Sequence, residues 1–118
     1  MFNVQSLHAH KLDIEDDEVI KESYILALTE THIDKMDSNY LKGYKNISNY
    51  MRNNIKFGGV AFFKKNNINI NLNYCNLHLE NDNNLESKKI DMTSVKLIKN
   101  NLVIIIFLLY VSPNTSIS

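Results

Sequence analysis

Tyr24-Ile25-Leu26-Ala27-Leu28-Thr29-Glu30-Thr31-His32 is a short apolar run that ends in a carboxylate, and its reading decides the fold. A run of this length, rich in Ile and Leu and closed by polar residues, predicts a fully buried strand from Tyr24 to Thr29. Glu30 then stands on the rim of a sheet. That is where α/β proteins place their chemistry, because the strand fixes the side chain and the loop beyond leaves room for a ligand.

Upstream, Phe2 to Ser6 predicts a shorter strand, and His8 to Glu22 predicts one helix with Leu12, Ile14, Val19 and Ile20 on its apolar face. Strand, helix and strand make a crossover unit. If the two strands are parallel neighbours, Asn3 and Glu30 lie at the same end. The acidic run Asp13, Glu15, Asp16, Asp17 and Glu18 reads as a solvated helix face rather than a metal cluster, since adjacent helical positions point away from one another.

Downstream, the polar stretch from Asp34 to Asn39 predicts a loop or a single helical turn, and Tyr44 to Arg52 a weak strand. Phe57 to Phe63 predicts a stronger strand whose Gly58-Gly59 pair marks a bulge or a place of close approach. From Lys64 to Asn84, Asn alternates with Ile, Leu and Tyr at the period of a strand. Ile90 to Ile98 and Leu102 to Val111 predict a hairpin turned at Lys99-Asn100-Asn101, and Ser112-Pro113-Asn114-Thr115 breaks its second strand. Leu102 to Leu109 falls well short of the roughly 20 apolar residues a bilayer requires. It reads instead as a strand buried on both faces.

With 118 residues the chain has room for one domain. Its formal net charge of +0 exerts no global pull on nucleic acid or membrane, so a polyanion would have to be held by local groups. The single cysteine, Cys75, excludes an internal disulfide and a cysteine-based zinc site and fits a reducing compartment. Met1 to Leu7 lacks the basic start and apolar stretch of a secretory signal, so the expected location is intracellular, nuclear or cytoplasmic, without a membrane. His8, His10, His32 and His78 read as surface or partly satisfied histidines.

Four pieces, in this order, carry a resemblance: Asn3-Val4-Gln5-Ser6-Leu7, Thr29-Glu30-Thr31-His32-Ile33, Gly58-Gly59-Val60-Ala61 and Tyr110-Val111-Ser112-Pro113-Asn114-Thr115. Together they resemble the endonuclease/exonuclease/phosphatase superfamily, in particular the apurinic-endonuclease-like domains of non-LTR retrotransposons and related mobile elements. The resemblance covers nearly the whole chain but only the N-terminal half of the family domain. It implies a partial two-sheet α/β sandwich, mainly one sheet with a flanking helix. By the same resemblance Glu30 is the metal-binding glutamate, and Asn3 helps position metal or phosphate. Tyr110 turns its hydroxyl to the scissile phosphate, and Arg52 and Asn114 are substrate contacts. The implied cofactor is magnesium, or manganese in its place, weakly held, and the implied partner is DNA.

In the family, a histidine paired with an acid and further carboxylate and amide groups come from motifs of the Gly-Asp-Phe-Asn and Ser-Asp-His type. Neither occurs in these residues. The expectation is therefore a polypeptide without activity of its own, prone to self-association where the second half of the sandwich would cover Ile104, Ile106 and Leu108 or their alternates. Two other readings stand beside it: a fragment of a lipid or sugar phosphate phosphatase of the same superfamily, and a non-enzymatic module that adds a partner's strand to its open sheet edge.

Overall fold

The computed structural model describes residues 1–52, 58–68, 71–73 and 90–111. The chain is mixed α/β, and its elements run β1 (Phe2–Asn3), α1 (Leu7–Asp16), α2 (Glu18–Lys21), β2 (Ile25–Thr29), β3 (Tyr44–Tyr50), β4 (Val60–Lys65), β5 (Asn71–Asn73), β6 (Ile90–Lys99) and β7 (Leu102–Val111). A four-stranded sheet has the order β1-β2-β4-β3, and a three-stranded sheet the order β5-β6-β7. Among the described residues the strands divide four to three between two sheets, the two-sheet α/β arrangement that was expected.

β1 and β2 are parallel neighbours joined by the helical crossover, and Asn3 stands in register with Thr29. β4 lies between β2 and β3 and is antiparallel to both. Its first four residues, Val60 to Phe63, are apolar without alternation because both faces are covered there, and Lys64 and Lys65 follow where the cover thins. Ala61 and Phe63 pack with Leu7, Ile14 and Ile20 of the helices, whereas Val60 and Phe62 pack with Val95 of β6 and Leu108 of β7. The molecule therefore has three layers, helices on one sheet and that sheet on the other. The hydroxyls of Ser48 and Thr93 hydrogen-bond to each other between the sheets.

The single helix expected from His8 to Glu22 is two helices. Asp17 interrupts them in an extended conformation and caps the second, its Oδ1 accepting from the amides of Val19 and Ile20 at 2.9 Å each. The β6–β7 hairpin forms as expected, with Lys99 opposite Leu102. Asn100 and Asn101 both take positive φ, 49° and 66°, the geometry a two-residue turn needs to match the strand twist.

β7 is not buried on both faces. Ile106 and Tyr110 are partly buried and Leu108 is 3% exposed against the first sheet, whereas Val103, Ile105, Phe107, Leu109 and Val111 are 50–55% exposed. An apolar residue at every position had masked that asymmetry. β2 is likewise less than fully buried, since Ile25 and Ala27 are only half covered and Tyr24, just before it, is exposed. Among the described residues no helix is long and apolar enough to cross a membrane. Cys75, His78, Asn114 and the alternating stretch from 74 to 84 lie outside the described residues.

Candidate functional site

β2 ends at Thr29, and the residue after it leaves the strand sharply: Glu30 has φ 54°, in the left-handed region that few residues other than glycine adopt. The strand end of β1 is drawn in beside it, with the amides of Ser6 and Leu7 donating to the carbonyls of Glu30 and Thr31 at 2.9 and 2.8 Å. On the other side the amides of Thr31 and His32 donate to the carbonyls of Gly59 and Gly58 at 3.2 and 2.9 Å. Glu30 is thus held by its own backbone neighbours from two directions.

The second sheet completes the site. Tyr110, near the end of β7, donates its hydroxyl proton to Oε1 of Glu30. Directly opposite Tyr110 on β6 is Asp91, which is fully buried. Its carboxylate accepts from Nε of Arg52 at 2.9 and 3.1 Å and from the amide of Gly59 at 2.8 Å. A buried charge requires such a set of partners.

The glycine pair is explained by this crowding. A Cβ on Gly58 would lie 2.5 Å from both Arg52 and Asp91, and one on Gly59 would lie 2.5 Å from Oγ1 of Thr31, with φ at 67° and 89°. The close approach expected at Gly58-Gly59 is therefore between backbone and the two charged side chains. The Thr31 hydroxyl itself is buried, and among the described residues it has no hydrogen-bond partner.

Burial first, then the hydrogen bond to Glu30 and its negative charge, push the Tyr110 phenol up from 10.0 to about 12, with Asp91 adding to the rise and Arg52 opposing it. Tyr110 is consequently a proton donor throughout the ordinary pH range. The phenol is thus kept in the protonated form that donates to Glu30.

The structure brings Glu30, Tyr110, Arg52 and Asp91 together from four separate stretches of sequence. Asn3 lies at the same sheet end as Glu30, one register position back, exposed and lining a hollow of about 310 Å³ with His10 and Ile20. Among the described residues no hydrogen bond joins Asn3 to Glu30. Arg52, expected at nucleic acid, is committed through Nε to Asp91, with a side chain only 12% exposed. Asp91 escaped the sequence reading, although it falls in phase with the inward-facing Thr93 and Val95, and that phase is the signal that marks it. The acidic run Asp13 to Glu18 gathers no metal-type cluster among the described residues. His10 faces Asp13 at 3.5 Å, and His8 lies 3.2 Å from the Tyr40 hydroxyl.

No protein-family model, no curated protein and no solved structure matches the chain. Fold and site together define a mixed α/β protein with a carboxylate–tyrosine pair on its rim.

Proposed function

We propose that the chain is the N-terminal part of a magnesium-dependent, phosphodiester-cleaving endonuclease domain of the mobile-element type, supplying its metal carboxylate and its tyrosine. The observation that carries this reading is the contact between Tyr110 and Glu30, two residues that the resemblance assigns to one site and that the sequence separates by 80 positions.

The donor set fits a hydrated magnesium ion. Glu30 stands at the rim, partly exposed, with one oxygen engaged by a phenol and further lone pairs remaining. Magnesium is commonly held by one or two carboxylates, with water and substrate phosphate filling its octahedron. Asp91 does not belong to that set, because Arg52 and the Gly59 amide occupy its carboxylate. The chemistry such an ion would supply, if bound, is polarisation of the phosphate. Glu30 would hold the ion through the lone pairs that the phenol leaves open, and Tyr110, whose one hydroxyl proton goes to Oε1, would orient that carboxylate.

Among the described residues this set has no base beside it to activate water, and the proposal therefore expects no cutting by the polypeptide alone. Incubation with supercoiled plasmid or abasic duplex and magnesium should give no nicking above a Glu30→Ala control. The coding DNA beyond the Ser118 codon tests the family reading: Gly-Asp-Phe-Asn and Ser-Asp-His motifs in any frame support it, and their absence over the length of a domain contradicts it.

A second reading, a non-enzymatic interaction module, is favoured by β7. Among the described residues that strand is the outer one of its sheet; it carries no charge over ten residues, and most of its outward side chains are apolar and half exposed. Such an edge is a template for strand addition. A stable stoichiometric partner captured independently of magnesium would favour this reading.

A further inference from the structure

We infer that Asp91 is a positioning residue that seats the Tyr110 hydroxyl on Glu30, by closing a ring of contacts that fastens the two sheets together at the rim. The inference deepens the proposed function and rests on it only for the chemical meaning of the Tyr110–Glu30 contact.

The ring can be followed residue by residue. Glu30 continues into Thr31, whose amide donates to Gly59 at 3.2 Å; the amide of Gly59 donates to Asp91 at 2.8 Å. Asp91 stands directly opposite Tyr110 across the β6–β7 ladder, where paired side chains share one face about 5 Å apart. Tyr110 returns to Glu30. Arg52, next to the end of β3, braces the ring from the first sheet through Nε. Asp91 is thus the polar joint through which β6 meets the loop that also holds the backbone beyond Glu30.

The sheets also meet at the hydroxyl pair of Ser48 and Thr93, which holds β6 but does not touch Tyr110 on β7, and the core around that pair is apolar. Val95 and Leu108 pack on Val60 and Phe62 further along the hairpin. Apolar burial is non-directional and keeps the hairpin docked without fixing the height of its last residues. Hydrogen bonds to a buried carboxylate are directional, and they fix it. Replacing Asp91 by Asn keeps the size and one acceptor but removes the charge that engages Arg52 and Gly59 at once. The rim end of the hairpin is then released while its middle stays packed.

Nuclear Overhauser effects in the full chain, without metal or DNA, test this. In the wild type, cross-peaks should join the Tyr110 ring protons to the Glu30 side chain, assigned against Tyr110→Phe. In Asp91→Asn those cross-peaks should be lost while those among Phe62, Val95 and Leu108 persist. Should Asp91→Asn not fold, Arg52→Lys carries the same comparison, and weakened Tyr110–Glu30 cross-peaks in it support the assignment. Cross-peaks of wild-type intensity in the folded variant overturn it, as does their absence from the wild type. Failure here leaves cation binding at Glu30 to be judged separately, since neither variant touches that carboxylate.

Discussion

The Tyr110 hydroxyl donates to the Glu30 carboxylate across the boundary between the two sheets, and Asp91, directly opposite Tyr110, is bonded to the loop that holds the other side of Glu30. One rim contact therefore reports on both the packing of the sheets and the chemistry of the site.

The first consequence is an alkaline one. A phenol raised to about 12 in the fold, against 10.0 for an ordinary tyrosine, contributes stability that is fully present below pH 10 and is lost as pH climbs towards 12. Tyr110→Phe should lose less stability over that interval than the wild type, as read from urea midpoints. Tyr40 and Tyr44, whose phenols burial also raises, keep their own share in both proteins. Identical alkaline slopes would show that Tyr110 is not held protonated by the fold.

The glycines separate strain from collision. Gly43 has φ 84° and open space around its absent Cβ, so Gly43→Ala should cost about 1–2 kcal/mol of backbone strain alone. Gly58→Ala meets Arg52 and Asp91 at 2.5 Å in addition and should be clearly the more destabilising of the two in urea unfolding. Equal losses would mean that the Arg52–Asp91 pair is free to move away.

Thr31 offers a test of opposite sign. Its buried hydroxyl has no hydrogen-bond partner among the described residues, and removing an unsatisfied polar atom without changing shape is neutral or stabilising. Thr31→Val should unfold at the same or a higher urea concentration. A loss above about 2 kcal/mol would reveal a hydrogen bond to that hydroxyl.

These residues also mark how far the sequence could be read. The crossover from β1 to β2 and the Asn100-Asn101 hairpin were legible, because period and turn chemistry are local. The break at Asp17 was hidden in an acidic run, where a capping carboxylate looks like its solvated neighbours. Asp91 was hidden for the reverse reason. A lone acid in a strand reads as a surface residue, and its burial becomes favourable only when Arg52 and the Gly59 amide arrive from the other sheet. The glycine pair announced a close approach, but not what approaches.

β7 carries a prediction about solubility. Phe107 and Ile105 are 52% and 55% exposed on its outer face. A lysine at either position should change stability by no more than about 0.5 kcal/mol while reducing self-association in sedimentation, since charge on an exposed strand blocks its pairing. A large loss of stability instead would mean that this face is covered in solution.

As proposed, Glu30 presents its carboxylate to a divalent cation, and manganese tests this through paramagnetic broadening of amide signals in the labelled chain. Substoichiometric manganese should broaden the signals of Glu30, Thr31 and Tyr110 first, magnesium should compete, and Glu30→Gln should abolish the localised effect. Broadening centred on the acidic run from Asp13 to Glu18, or broadening at the rim that survives Glu30→Gln, would contradict it.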